Sequence, residues 1–133
     1  MFIEDICLDT RDDLIQLLKE SKYEYIILKF TAKWCNPCKI IQPYVETLIE
    51  EKIKMLNQRQ KTNVLLYVEV DVDICFDLYS FMKKHKRLNG IPSLLLYDRK
   101  SYSELDDSLK YIPQMTVSGT NKDSIKRLID CVQ

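Results

Sequence analysis

A chain of 133 residues with 20 basic and 20 acidic side chains carries no net field to gather nucleic acid or an anionic membrane. It is 46% apolar and 30% charged, the composition of a soluble globule. Its length is that of a single domain, 1–133, able to bury roughly two-thirds of the unfolded surface. Five cysteines in no regular framework argue against a disulfide-stapled secreted fold. Glu4 and Asp5 stand where a signal peptide needs an apolar core, and no segment approaches the length of a membrane span. A cytoplasmic, reducing setting is expected, with a virion or organelle left open.

In chain order, Phe2 to Cys7 reads as a short first strand. Thr10 to Glu20 places Leu14, Leu17 and Leu18 on one helical face, capped near Asp9 or Thr10. Tyr25 to Thr31 is a buried strand, and Cys35 to about Gln58 a long helix that Pro43 should kink. Val64 to Val72 is a second buried strand, and Asp73 can cap a helix running to about Lys86. Ser93 to Tyr97 is a third strong strand, followed by a polar stretch from Asp98 to Lys110. Tyr111 to Val117 reads as a final strand and Asn121 to Val132 as a closing helix. No linker rich in Pro, Gly or Ser divides the chain.

The chemistry concentrates in Trp34-Cys35-Asn36-Pro37-Cys38-Lys39, between the apolar run Tyr25–Phe30 and a helix. The first turn of a helix brings two sulfurs three positions apart within bridging distance. Unpaired N–H groups and the macrodipole at the helix N-terminus favour a thiolate there. Cys35 is therefore the expected attacking thiolate, and Cys38, one turn deeper, the resolving thiol. Half a zinc site is the competing reading. Cys7, Cys75 and Cys131 supply no second pair at ligand spacing, and His85 stands alone, so no metal is expected. His85 itself reads as a surface helix residue, and Lys33 and Lys39 as solvated.

The element order, with the dithiol after the second strand, resembles the thioredoxin family over nearly the whole chain. Phe30 to Lys39 is similar to the family's active-site signature, and Pro43, five residues after Cys38, to its helix proline. Glu69 to Asp73 resembles its third strand, Gly90 to Tyr97 the segment with its cis-proline, and Gly119 the glycine before its last helix. The resemblance implies an α/β thioredoxin fold, a central mixed five-stranded sheet flanked by four helices. It also implies protein-disulfide reduction through Cys35 and Cys38 with no organic cofactor. Disulfide-containing protein substrates would be contacted by Trp34, Asn36, Pro37, Ile91, Pro92, Ser118 and Gly119. A reductase or thiol pool would recycle the dithiol. A more oxidising oxidase or isomerase, and a non-catalytic interaction module on the same fold, remain open alternatives.

One departure from the family pattern bears on mechanism. Six positions ahead of Cys35, where the family usually carries a buried acid, stands Lys29 among apolar neighbours. A buried lysine either loses its charge or finds a partner, and Glu69 on the adjacent strand is placed to face it. A Lys29–Glu69 pair is expected to tune the dithiol, a cation there favouring thiolates over the disulfide, or a neutral Lys29 itself accepting the proton. Pro37, kept where family oxidases and isomerases commonly carry histidine, favours a reductant instead. The second helix and its exit, about Lys52 to Asn63, and the stretch Asp98 to Lys110 are longer than the family norm and read as solvated insertions. Cys7, Cys75 and Cys131 are expected to be small buried side chains, Cys75 matching a position where some thioredoxins carry a regulatory cysteine.

Overall fold

Strand β1, Tyr25–Thr31, shows no alternation of apolar and polar residues: Ile26 to Phe30 are all buried. That pattern belongs to a strand covered on both faces, in the interior of a sheet. In the computed structural model, which describes residues 8–102 and 109–133, the sheet order is β2-β1-β3-β4. Strand β2 (Leu65–Asp71) runs parallel to β1, β3 (Ser93–Asp98) antiparallel to it, and β4 (Met115–Ser118) antiparallel to β3. The register sets Lys29 between Glu69 on β2 and Leu94 on β3.

Helices α1 (Arg11–Glu20) and α3 (Phe76–Lys84) cover one face, packing Leu14, Leu18, Leu78 and Met82 on Leu28, Phe30, Val68 and Val70. Helices α2 (Asn36–Gln58) and α5 (Lys122–Asp130) cover the other, packing Ile41, Val45, Ile49, Ile125 and Leu128 on Ile27, Tyr67, Leu94 and Leu96. The result is a three-layer α/β arrangement in which β1 feeds α2 after four residues, 32–35. Short linkage of this kind holds the start of α2 rigidly at the end of the sheet.

The mixed sheet and its flanking helices agree with the expected fold, and several details differ. The described residues contain four strands, and the strand expected at Phe2 to Cys7 lies outside them. Among the described residues there are five helices rather than the expected four, because α4 (Arg99–Tyr102) forms inside the stretch read as polar loop. The final strand starts at Met115 rather than Tyr111. Pro113 has no N–H to offer a ladder, which limits pairing ahead of β4. Asp73 does not cap α3. The cap position is Cys75, without a side-chain bond, and Asp71 Oδ1 instead accepts the Asp73 and Ile74 N–H groups, holding a turn that delays the helix to Phe76. Thr10 caps α1 as expected, with Asp13 completing a reciprocal capping box.

Helix α4 has a purpose its length conceals. Arg99 Nε donates to Leu18 O (2.7 Å), Nη1 to Tyr23 O (3.0 Å) and Nη2 to Lys19 O (3.1 Å). Two of these carbonyls belong to the last turn of α1, which lacks intrahelical donors. One guanidinium therefore ties α1, the following loop and the end of β3 together. Replacing Arg99 by Met is expected to lower stability by about 2 kcal/mol, since three charge-assisted bonds are lost and the carbonyls rehydrate in part. A urea midpoint unchanged from wild type would contradict this.

Candidate active site

The site begins where β1 ends. Cys35 is the N-cap of α2, and its Sγ accepts the Cys38 N–H at 3.2 Å. A cysteine thus takes the place of the usual Ser, Thr, Asp or Asn cap, so the helix terminus hydrogen-bonds directly to sulfur. Asn36 and Pro37 occupy the first two helical positions, where Pro37 forfeits an N–H that would have no intrahelical partner. Cys35 and Cys38 form a disulfide, with Cα atoms 5.3 Å apart. Both are buried in the core cluster that also holds Val70 and Val72. The pairing expected between these two sulfurs is what the structure holds. Helix α2 continues through Pro43, which leaves the Lys39 carbonyl without a donor from position 43.

Trp34 is 65% exposed, despite being the largest apolar side chain in the chain, and its Nε1 donates to Asp73 Oδ2 at 2.9 Å. The turn held by Asp71 is what presents Asp73 to the indole. Asp73 therefore anchors Trp34 rather than capping α3, a role that no local sequence signal marks because its partner lies 39 positions away.

On the loop ahead of β3, the Ile91-Pro92 peptide is cis, as the resemblance implies. Pro92 O accepts the Gly119 N–H at 2.8 Å. Gly119 has φ +98°, a conformation that L side chains rarely adopt, which explains glycine at this turn. Ser93, fully buried, donates to Gly90 O at 2.6 Å and shares a 2.7 Å bond with Ser118 across β3 and β4. The structure thus brings Ile91, Pro92, Ser118 and Gly119 together as one bonded unit. Ile91 packs against the same core cluster as Cys35 and Cys38. Asn36, Pro37 and Trp34 are exposed at the start of α2.

Lys29 is completely buried, and its Nζ lies 3.8 Å from Glu69 Oε2 with no hydrogen-bond partner among the described residues. Burial lowers its pKa from the ordinary lysine value, with Glu69 and then Glu46 opposing in part. Glu69 is held by neighbours the sequence reading did not single out. Its Oε2 accepts from Gln42 Nε2 (2.6 Å) and Tyr67 OH (3.1 Å), and Gln42 Nε2 also reaches Glu46 Oε1 (2.7 Å). Burial and Glu69 together push the Tyr67 hydroxyl pKa up, so it stays a donor. Gln42 stands one helical turn beyond Cys38, and that spacing was the available signal for its role. Cys38, Gln42 and Glu69 line one groove of about 410 Å³ with Thr31, Lys39 and Pro43. The expected Lys29–Glu69 pair is present, and its acid faces the same groove as Cys38.

The remaining candidates separate. Lys33 and Lys39 are exposed, and His85 is an exposed C-cap whose ring packs 4.3 Å from Phe81. Cys75 is buried, its Sγ 3.6 Å from Asp9 Oδ1. Cys131 is exposed, against the expectation of burial, because it follows the last turn of α5. Cys7 lies outside the described residues. Among the described residues no cluster of His, Cys, Asp and Glu is placed to hold a metal ion, and no helix is long and apolar enough to cross a membrane.

The family model described as Thioredoxin matches residues 8–129, and the chain belongs to the thioredoxin family. It is 32% identical to thioredoxin from Callithrix jacchus over 73 residues, 55% of this chain and 60% of that protein. It is 28% identical to thioredoxin 1 of Plasmodium falciparum over 110 residues, 83% of this chain and 82% of that protein. The match therefore spans less than two-thirds of the length of the marmoset relative. The X-ray structure of Fasciola hepatica thioredoxin superposes with a TM-score of 0.64 at 23% identity, covering 100% of both chains, and establishes the shared fold.

The buried lysine gives a pH signature. Because its pKa is lowered on folding, the unfolded chain binds more protons, and stability rises with pH up to the ordinary lysine value of about 10.4. The stability of wild type relative to Lys29→Met is therefore expected to improve as pH rises through the interval just below the ordinary lysine value. Parallel denaturant titrations that keep a constant difference across that range would contradict it.

Proposed function

We propose that this chain is a single thioredoxin-like domain, 1–133, acting as a protein-disulfide reductase through Cys35 and Cys38. The observation that carries the reading is the Cys35–Cys38 disulfide at the N-terminus of α2, in a core cluster against which Ile91, ahead of cis-Pro92, packs. In the reduced form the Cys35 thiolate, stabilised by the Cys38 N–H and the helix terminus, attacks one sulfur of a substrate disulfide. An S–S bond forms between Cys35 and that sulfur, and the other substrate sulfur leaves as a thiolate. Cys38, deprotonated, then attacks Cys35 Sγ, expelling the second substrate thiolate and restoring the disulfide seen here. The substrate gains two electrons and two protons, and the protein loses them. An external reductase or thiol pool returns the pair to the dithiol, and no organic cofactor or metal takes part.

Lys29 and Glu69 are the tuning groups in this reading. Glu69 lines the groove with Cys38, and a cation held behind it favours the thiolate form, which makes the couple more oxidising. Exposed Trp34 and Pro37 supply apolar contact to substrate, with Asn36 beside them, while Ile91, Pro92, Ser118 and Gly119 offer the backbone edge to an extended substrate segment. The partners are disulfide-containing proteins, and the setting is cytoplasmic.

The test is reduction of a protein disulfide by catalytic amounts of the chain with excess dithiothreitol, followed by turbidity. Wild type is expected to accelerate the reaction, Cys35→Ser to abolish the acceleration, and Cys38→Ser to accumulate a mixed disulfide at Cys35. An unaccelerated reaction with correctly folded wild type would move the assignment to a binding module on the same fold.

A further inference from the structure

Helix α3 closes with Lys83-Lys84-His85-Lys86-Arg87, a basic run in a chain with no net charge. The closure is of the left-handed type: Lys86 has φ +58°, Arg87 N–H reaches Met82 O at 2.9 Å, and Lys86 N–H reaches Lys83 O at 3.0 Å. Glycine usually fills such a position, because side chains adopt it reluctantly. Here it carries a lysine. Arg87 lies over the Tyr111 ring, 5.6 Å from its centroid, which fixes the guanidinium. Its Nε is shielded from water and has no hydrogen-bond partner among the described residues.

Lys86 and Arg87 line a groove of about 430 Å³ with Asn89, Pro113, Thr116 and Ser118, and among the described residues no acidic side chain lines it. Its far wall is the outer face of β4, where Thr116 and Ser118 are exposed on either side of buried Val117. Ser118 bonds to Ser93, next to cis-Pro92, and precedes Gly119, whose N–H holds Pro92 O. The groove therefore abuts the edge that the proposed function assigns to the substrate backbone.

We propose that this groove takes carboxylate side chains flanking the substrate's disulfide, so that Lys86 and Arg87 direct the enzyme to acidic protein segments. The inference rests on the reductase reading for its substrate, and on charge complementarity for the class of segment. Two cations on one wall, with amide and hydroxyl groups beside them, suit a carboxylate, and no acid among the described residues competes for them. The chain has no basic field beyond this local wall to follow a polyphosphate backbone, which disfavours nucleic acid.

The experiment compares three disulfide peptides differing only in flanking residues, with Glu, Gln or Lys. Wild type is expected to show a kcat/KM roughly threefold to tenfold higher for the Glu peptide than for the Lys peptide at low salt. The preference should collapse at about 0.5 M salt. The Lys86→Asn/Arg87→Gln double variant, with Asn tolerated in left-handed backbone, is expected to level the peptides while leaving the Gln peptide's rate unchanged. Equal rates in wild type, or a preference that survives the double variant, overturns the proposal. If no peptide is reduced, the reductase reading fails separately. Fluorescence anisotropy with serine versions of the same peptides then decides the groove: selective Glu-peptide binding lost in the double variant supports it, and equal binding overturns it. A single-stranded RNA oligomer that binds more tightly than the Glu peptide also overturns it.

Discussion

A lysine side chain sealed inside the sheet is the constraint around which the polar part of this fold is arranged. An ammonium removed from water is costly unless an opposite charge stands near it and neighbouring groups fix that charge. Lys29 meets this requirement from two elements at once: β2 supplies Glu69 and Tyr67, and α2 supplies Gln42 and Glu46. The same bonds link α2 to the sheet one turn past Cys38. A device that makes the buried cation tolerable therefore also sets where the helix, and its sulfurs, stand.

The second requirement is a rigid handover from strand to helix. Strand β1 is buried on both faces and hydrogen-bonded on both edges, so its end has little freedom. Residues 32–35 then place Cys35 Sγ as the cap of α2, where helix N–H groups point at sulfur. On the opposite side, the Ser93–Ser118 and Gly119–Pro92 bonds hold the cis-proline loop against β4. Ile91 of that loop packs against the core cluster that holds Cys35 and Cys38. Trp34, tied to Asp73, is positioned at its border without being buried.

Much of this was legible in the residues. The run Ile26 to Phe30 announced a central strand, and a lysine inside that run announced a buried charge in need of a partner. The CxxC spacing with Pro37 and Pro43 announced the helix and its sulfurs. What stayed hidden depends on contacts between distant positions. Arg99 gives no sign in its own neighbourhood that it will cap α1, because its three acceptors lie more than seventy positions earlier. Asp73 read as a helix cap because an acid before an apolar run ordinarily is one. The Asp71 turn outcompeted it, delaying α3 and freeing Asp73 for the indole.

The central claim is that the buried cation sets the redox balance of the cysteine pair. It is tested most directly by the reduction potential of the Cys35/Cys38 couple in wild type and Lys29→Met, measured by equilibration in graded thiol and disulfide buffers. The account predicts a wild-type value less negative than about −270 mV, and a shift towards it once the cation is removed. Identical potentials in the two proteins would contradict it.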